Sequence, residues 1–524
     1  MIFTSLKFIL FISAVFIGYF IFPKRYRWIW LLISSYCFYF SASIKYGFYL
    51  VFSTISTYIA ALAIGKITER FSVPPDMGKE EKKALRRKND RKKKLVVSAA
   101  VLINFGILFF IKYYNFSVLS LAKFTGLFGF DFSPHTLSLV LPVGISFYTF
   151  QVIGYIIDVY RGVCDPQKNF FKYALFASYF PQIMQGPIGR YQDLVSGGLF
   201  EGRSFDYDRA MFGLQRMTFG FFEKLVIADR LAIAVNTVWA DYASYGKAEI
   251  IFACILYAIQ IYADFAGYMD IALGASEVMG IKMAENFDAP YFAASVPEFW
   301  RRWHMTLGSW FREYLFYPVM RSGWCSALGK KLKKSLGKGV SSKTTTVIAL
   351  LCVWFFTGLW HGSSWHYVAW GVYYGILIIL SMLLAPLFDK AVDKLSLDRE
   401  RPSYKLVQIL KTFALVCVGY VLFRSDSLSQ AKGIFMSVLS PAVPLSTPLG
   451  IGLDAKDLKV ALVAVAVLFA VDLFRYKKID PRSVISKQGL WLRWIIYFAF
   501  IFAVLIYGIY GPGYSSASFI YFQF

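Results

Sequence analysis

Long apolar stretches separated by short polar ones dominate this chain. Runs near 2–22, 27–43, 47–65, 95–115, 137–158, 211–237, 249–273, 344–360, 363–386, 406–424, 457–474 and 491–510 approach the length of about 20 residues that a helix needs to cross a hydrocarbon core. The segment 169–186 is apolar but short and carries Pro181, which predicts a partial or re-entrant helix. A different pattern runs from Ser295 to Met320. Ser295 followed by Glu298 is a capping box with Pro297 in the first turn, so a helix starts near 296. Along it Trp300, Trp303, Leu307, Trp310 and Tyr314 recur at spacings of three and four and form one face, while Arg301, Met305, Gly308 and Arg312 lie on another. Such a helix is too charged to span lipid and is expected at an interface or dipping into the protein interior. The expected fold is an all-α polytopic membrane protein of about 11–13 transmembrane helices with re-entrant or interfacial helices.

Composition sharpens this in one respect. The chain is 57% hydrophobic and 17% charged, and no stretch is long and polar enough for a separate soluble domain, so one integral membrane domain over 1–524 is expected. The net charge of +24 is concentrated in short runs: residues 79–94, the lysines at 330, 331, 333, 334 and 338 after Gly323, and Arg475, Lys477, Lys478 and Arg482. Short basic loops stay cytoplasmic. That places 66–94, 321–343 and 476–483 inside and sends 344–360 outward, while 159–248 is not fixed by charge. Topology and attraction to anionic lipid account for the basic runs, which flank membrane spans without a stacking platform, so nucleic acid is not an expected partner. The first apolar run lacks a small-residue cleavage site and is followed by Pro23-Lys24-Arg25, unlike a removable signal. The six cysteines show no short paired spacing and read as small hydrophobes rather than a disulfide framework or metal site.

Polar residues inside apolar runs carry the candidate chemistry. His361, in Leu359-Trp360-His361-Gly362, is one of four histidines, with His135, His304 and His366. The run 344–360 would span roughly 24 Å at 1.5 Å per residue, less than the bilayer core, which places His361 in a recess below the outer surface. Gly358, Gly362, Ser363 and Ser364 permit a tight turn there. A desolvated, neutral imidazole suits general-base work on a hydroxyl. His304 flanks the tryptophan face one turn after Trp300, either as a satisfied core residue or as part of a site. The neighbouring arginines either snorkel to phosphates or meet a ligand. Asp264 and Tyr268 share a helix face inside 249–273, as structural support or as chemistry. Phe180 to Tyr191 has two prolines and two glycines among Gln182, Gln185 and Arg190, which suits a cavity lining or a surface loop.

Taken together these residues resemble the membrane-bound O-acyltransferase family, in its bacterial branch related to alginate O-acetyltransferase and the D-alanine-transferring protein of teichoic acid modification. The matching segments are 142–162, FPQIMQGPIGRY (180–191), DFAGYMDIALG (264–274), ENFDAPY (285–291), FWRRWHMTLGSWFREYLFYP (299–318), FTGLWHG (356–362), VLFRS (421–425) and FIYFQF (519–524), with the core motifs within 140–425. The resemblance implies tilted helices around a central funnel, His361 as catalytic base and His304 as the second active-site position, where other members carry asparagine or aspartate. It marks Trp303, Arg302, Trp360, Asp264, Tyr268, Gln182, Arg190 and Asn286 as lining candidates. Arg301 or Arg302 meets the donor's phosphates on charge alone. No cofactor or metal is expected to be bound; the donor is a substrate, acetyl-CoA or another acyl thioester reaching the site from the cytoplasm. Implied partners are membrane lipid, polysaccharide synthesis machinery and an outward-facing, secreted or membrane-anchored acetyltransferase- or esterase-like protein that passes the acetyl group to a polysaccharide. The implied location is the bacterial inner or plasma membrane. Two other classes use many spans, a polysaccharide or lipid-carrier transporter and a secretion scaffold. D-alanyl transfer to teichoic acid is the alternative within the family.

Overall fold

The computed structural model describes residues 3–71, 77–139, 141–440 and 450–510. The motif at 519–524 therefore lies outside the described residues. Every described element is helical, and each expected span overlaps at least one helix, though 137–158 starts well before Ile145–Arg161 and 211–237 covers three elements. Among the described residues, seven helices are long and apolar enough to cross a membrane: Ile44–Glu69, Lys79–Gly126, Lys247–Val278, Gly337–His361, Trp365–Lys394, Pro402–Arg424 and Leu490–Tyr507. The other expected spans are shorter or more charged. Leu6–Ile21, Arg27–Phe40 and Ile145–Arg161 have 16, 14 and 17 residues. Ala455–Tyr476 carries Lys459, Asp472 and Arg475, and the 211–237 run is interrupted by a π-helical segment, Phe222–Ala228.

The chain forms two compact units, Met1–Leu214 with Ala272–Ala284, and Gln215–Ile271 with Glu285–Phe524. In the first, Ile44–Glu69 packs against Lys79–Gly126 and Ile145–Arg161. Lys79–Gly126 is one helix of 48 residues, so the basic run is not a loop but the first turns of a span. Nothing in KEEKKALRRKNDRKKK breaks a helix, and Glu80 and Glu81 favour its positive N-terminus. The segment 169–186 becomes Phe170–Ser178 and the short Phe180–Ile183, as a broken helix should.

Lys247–Val278, whose residues up to Ile271 belong to the second unit, is the most buried of the long helices. Gly323–His361 and Trp365–Lys394 form an antiparallel pair, with a break at Gly337 whose φ is 86°. Glycines set their separation: a Cβ on Gly358 would lie 2.4 Å from the Tyr367 carbonyl oxygen, and one on Gly371 2.3 Å from that of Trp354. Two expectations change here. The span ending at His361 begins at Gly337 and has 25 residues, about 37 Å of helix, so its length does not recess His361. The helix expected from 296 onward is two short ones, Val296–Arg302 and Met305–Phe311. Ser295 caps the first as predicted, its side chain accepting from the Glu298 N–H. The break falls at His304, whose φ of 46° and ψ of 50° are left-handed, so the tryptophans do not share one continuous face.

Candidate active site

His361 ends its helix, and Gly362 turns the chain away in extended conformation. The imidazole is 3% exposed. Aromatic rings enclose it nearly at right angles: Trp370 at 4.7 Å between centroids, Trp360 at 4.9 Å and Phe423 at 5.3 Å. Its recess is thus built by packing from two neighbouring helices rather than by depth along a short span.

His304 lies across from it, with ring centroids 6.5 Å apart. An imidazole nitrogen sits about 1.2 Å from its centroid, so the nitrogens of the two rings are no closer than about 4 Å, beyond a direct hydrogen bond. His304 is itself fully buried, against Phe265 at 4.8 Å and Trp360 at 5.9 Å.

Asn286 is what holds the left-handed turn. Its Oδ1 accepts from the Thr306 N–H at 3.1 Å and the Thr306 hydroxyl at 2.9 Å, and its backbone carbonyl accepts from the Met305 N–H at 3.0 Å. A backbone N–H can only donate, so the amide oxygen, not its nitrogen, faces this turn. The same oxygen lies 3.3 Å from His304 Nδ1. Nδ1 therefore carries the proton and Nε2 the lone pair. Burial lowers the His304 pKa to about 3, so the ring is neutral at ordinary pH.

Trp303 packs against Phe287 at 5.1 Å and Phe299 at 5.5 Å. Arg302 donates to Glu298 Oε1 and to the Asp288 carbonyl oxygen, both at 3.0 Å, and stacks over Tyr476. Its guanidinium is engaged within the protein, whereas Arg301 is exposed. At Asp264 the Lys224 ammonium bridges its carboxylate at 2.6 Å and that of Asp229 at 2.7 Å, all three side chains buried. Tyr268 is buried in the same helix. Gln182 and Arg190 belong to the first unit. There Gln182 donates to the Pro187 carbonyl oxygen at 2.9 Å and accepts from Gln151, closing the proline–glycine turn, and Arg190 precedes helix Tyr191–Ser196.

Several supporting residues escaped the sequence reading. Trp370 and Phe423 enclose His361. Lys224 sits in the π-helical segment, and a second ionic cluster joins Arg216, Asp270, Glu285 and Arg475, with Arg216 forked on Glu285 at 2.8 and 2.6 Å. A signal was present: Arg216, Lys224, Asp229 and Asp472 are charges inside expected spans.

Sequence comparison agrees with this picture. The model of the membrane-bound O-acyltransferase family matches residues 166–418. A probable alginate O-acetylase of Pseudomonas putida is 31% identical over 540 aligned positions, covering 100% of both chains. A peptidoglycan O-acetyltransferase of Helicobacter pylori is 28% identical, covering 83% of this chain and 79% of its own. A teichoic acid D-alanyltransferase of Bacillus subtilis is 30% identical over 55% of this chain and 70% of its own.

Proposed function

Since the chain belongs to the membrane-bound O-acyltransferase family, in its alginate O-acetyltransferase-like branch, we propose that it moves an acetyl group from a cytoplasmic thioester, acetyl-CoA foremost, toward hydroxyls of an extracellular polysaccharide. The chain is an O-acyltransferase and a multi-pass protein of the bacterial cell membrane. An outward-facing partner protein stands between it and the finished polymer. The observation that carries the reading is the pair of buried imidazoles 6.5 Å apart at the outward end of a span.

In this reaction His361 accepts the hydroxyl proton as the oxygen attacks the thioester carbonyl. The C–S bond breaks, and the proton passes from His361 to the departing thiolate, so no net proton is consumed. His304, its ring fixed by Asn286, orients that base or binds the reacting group. The aromatic wall excludes the water that would otherwise hydrolyse the donor. The basic cytoplasmic segments suit an anionic donor.

Replacing His361 with Ala should lower polymer-bound acetate at least 100-fold while the protein still inserts in the membrane. The two are measured together by acetate release and by membrane fractionation. Normal acetylation in that variant would overturn the assignment. Incorporation of D-alanine in place of acetate would move the donor to the alternative within the family.

A further inference from the structure

Among the described residues, Leu490–Tyr507 is the least buried of the membrane-crossing helices, with Tyr497 alone buried along it. It and Ala455–Tyr476 both pack on the π-helical segment Phe222–Ala228. Between the two helices and that segment runs a groove of about 440 Å³. Alanines keep it open: Ala464 on one helix and Ala499 and Ala503 on the other line it where larger side chains would close it. Phe222 and Val226 line it from the π-helical segment.

The groove has a direction. From Lys459 to Val467 on one helix, and from Tyr507 back to Ala499 on the other, it covers about 12 Å along the axes. Lys459 and Tyr507 lie at one end, and from there inward the lining is valine, alanine and phenylalanine. The basic run 476–483 lies on the cytoplasmic side by charge, so Lys459 stands at the outer headgroup level. Lys456 precedes it by one turn, and both are exposed. Neither pairs with a carboxylate among the described residues, and the neighbouring Asp457 is bound by Arg230. Lysines on the outer side run against the usual bias, so an anion there accounts for them.

A groove that is basic at headgroup level and apolar toward the bilayer centre has the polarity of an anionic phospholipid. Spread along its length, the volume leaves a channel narrower than the about 10–12 Å of a helix with its side chains. An acyl chain can enter it and a partner's helix cannot.

We propose that this groove holds one anionic phospholipid of the outer leaflet, its acyl chain between the two helices and its phosphate at Lys459. The inference goes beyond the O-acyl transfer reading and does not depend on it. The bound chain braces the π-helical segment, which carries Lys224 between Asp229 and Asp264. The Leu225 carbonyl oxygen in that segment accepts from the Ile509 N–H at 3.0 Å, just past the end of Leu490–Tyr507. A lipid that fixes this sparsely packed helix therefore fixes the segment with it.

The test uses the full-length protein, delipidated in detergent and then given phosphatidylglycerol or, separately, phosphatidylcholine. Native mass spectrometry should find one phosphatidylglycerol retained per chain. The melting temperature should rise by several degrees with phosphatidylglycerol and not with phosphatidylcholine. Lys459→Gln should weaken phosphatidylglycerol binding about fivefold, the contribution of one lysine beside an anionic lipid. Ala503→Phe, which fills the groove, should abolish retention while the protein elutes as wild type in size-exclusion chromatography. Equal stabilisation by both lipids overturns the proposal. So does unchanged phosphatidylglycerol affinity in Lys459→Gln, or a folded Ala503→Phe protein that still retains the lipid. A second copy of the chain held by wild type and lost in Ala503→Phe overturns it as well, assigning the groove to an oligomer contact.

Discussion

His304 combines a side chain proposed for the site with a backbone conformation that L-residues avoid. A left-handed non-glycine residue costs of order 1 kcal/mol and persists only where its surroundings over-determine it. Here Asn286 supplies that surrounding, bonding to Thr306, Met305 and the imidazole itself. Burial adds a second constraint. The folded pKa of about 3 lies below the unfolded value of about 6.5, so between them the unfolded chain binds the proton and the folded one does not. The stability His304 contributes is therefore complete above pH 6.5 and lost as pH falls toward 3. Thermal unfolding in detergent should show wild-type protein losing stability from pH 6.5 to 4. His304→Asn, which tolerates the left-handed turn and does not titrate, should lose less over that interval while its transfer rate falls about 100-fold.

Among the helices, two devices do the positioning, and they differed in legibility. The close pair Gly323–His361 and Trp365–Lys394 depends on Gly358 and Gly371. Gly371→Ala would drive a Cβ against the Trp354 carbonyl oxygen, a backbone atom that cannot swing away. Overpacking of this kind costs about 1–3 kcal/mol. It should lower the melting temperature by several degrees and, because Trp370 adjoins, reduce kcat more than it changes the donor KM. The second device is the buried Lys224 between Asp229 and Asp264. Lys224→Met leaves two buried carboxylates without their cation, a loss of about 3–5 kcal/mol, and should prevent the protein from accumulating. Adding Asp229→Asn and Asp264→Asn should restore folded protein on size-exclusion chromatography. The spans were readable because apolar length is a local property of sequence. Ser295 as a cap was readable for the same reason. The break at His304 was not, because Trp300 to Tyr314 keeps a helical period through it and the turn is held by Asn286, 18 residues earlier. Asp264 could be marked as buried charge, but its partner on another helix depended on packing.

Over the whole molecule the charge is as organised as the apolar spans. The histidines sit in an aromatic enclosure, while most lysines and arginines gather in a few segments. Residues 79–94 are the largest of these, and they are a rigid continuation of a span rather than a loose loop. Sixteen helical residues reach about 24 Å, more than two screening lengths at physiological ionic strength. A flexible basic loop would collapse onto an anionic membrane surface, whereas a helical arm extends its positive field away from its root, a field that suits the anionic thioester proposed as donor. For the proposed donor, encounter should accordingly weaken with added salt: kcat/KM for acetyl-CoA falls several-fold between 50 and 500 mM sodium chloride while kcat stays nearly constant, and the salt dependence flattens when the arm's lysines are exchanged for glutamine. Ionic strength then becomes a control on how often the enzyme is loaded, separate from how fast it reacts.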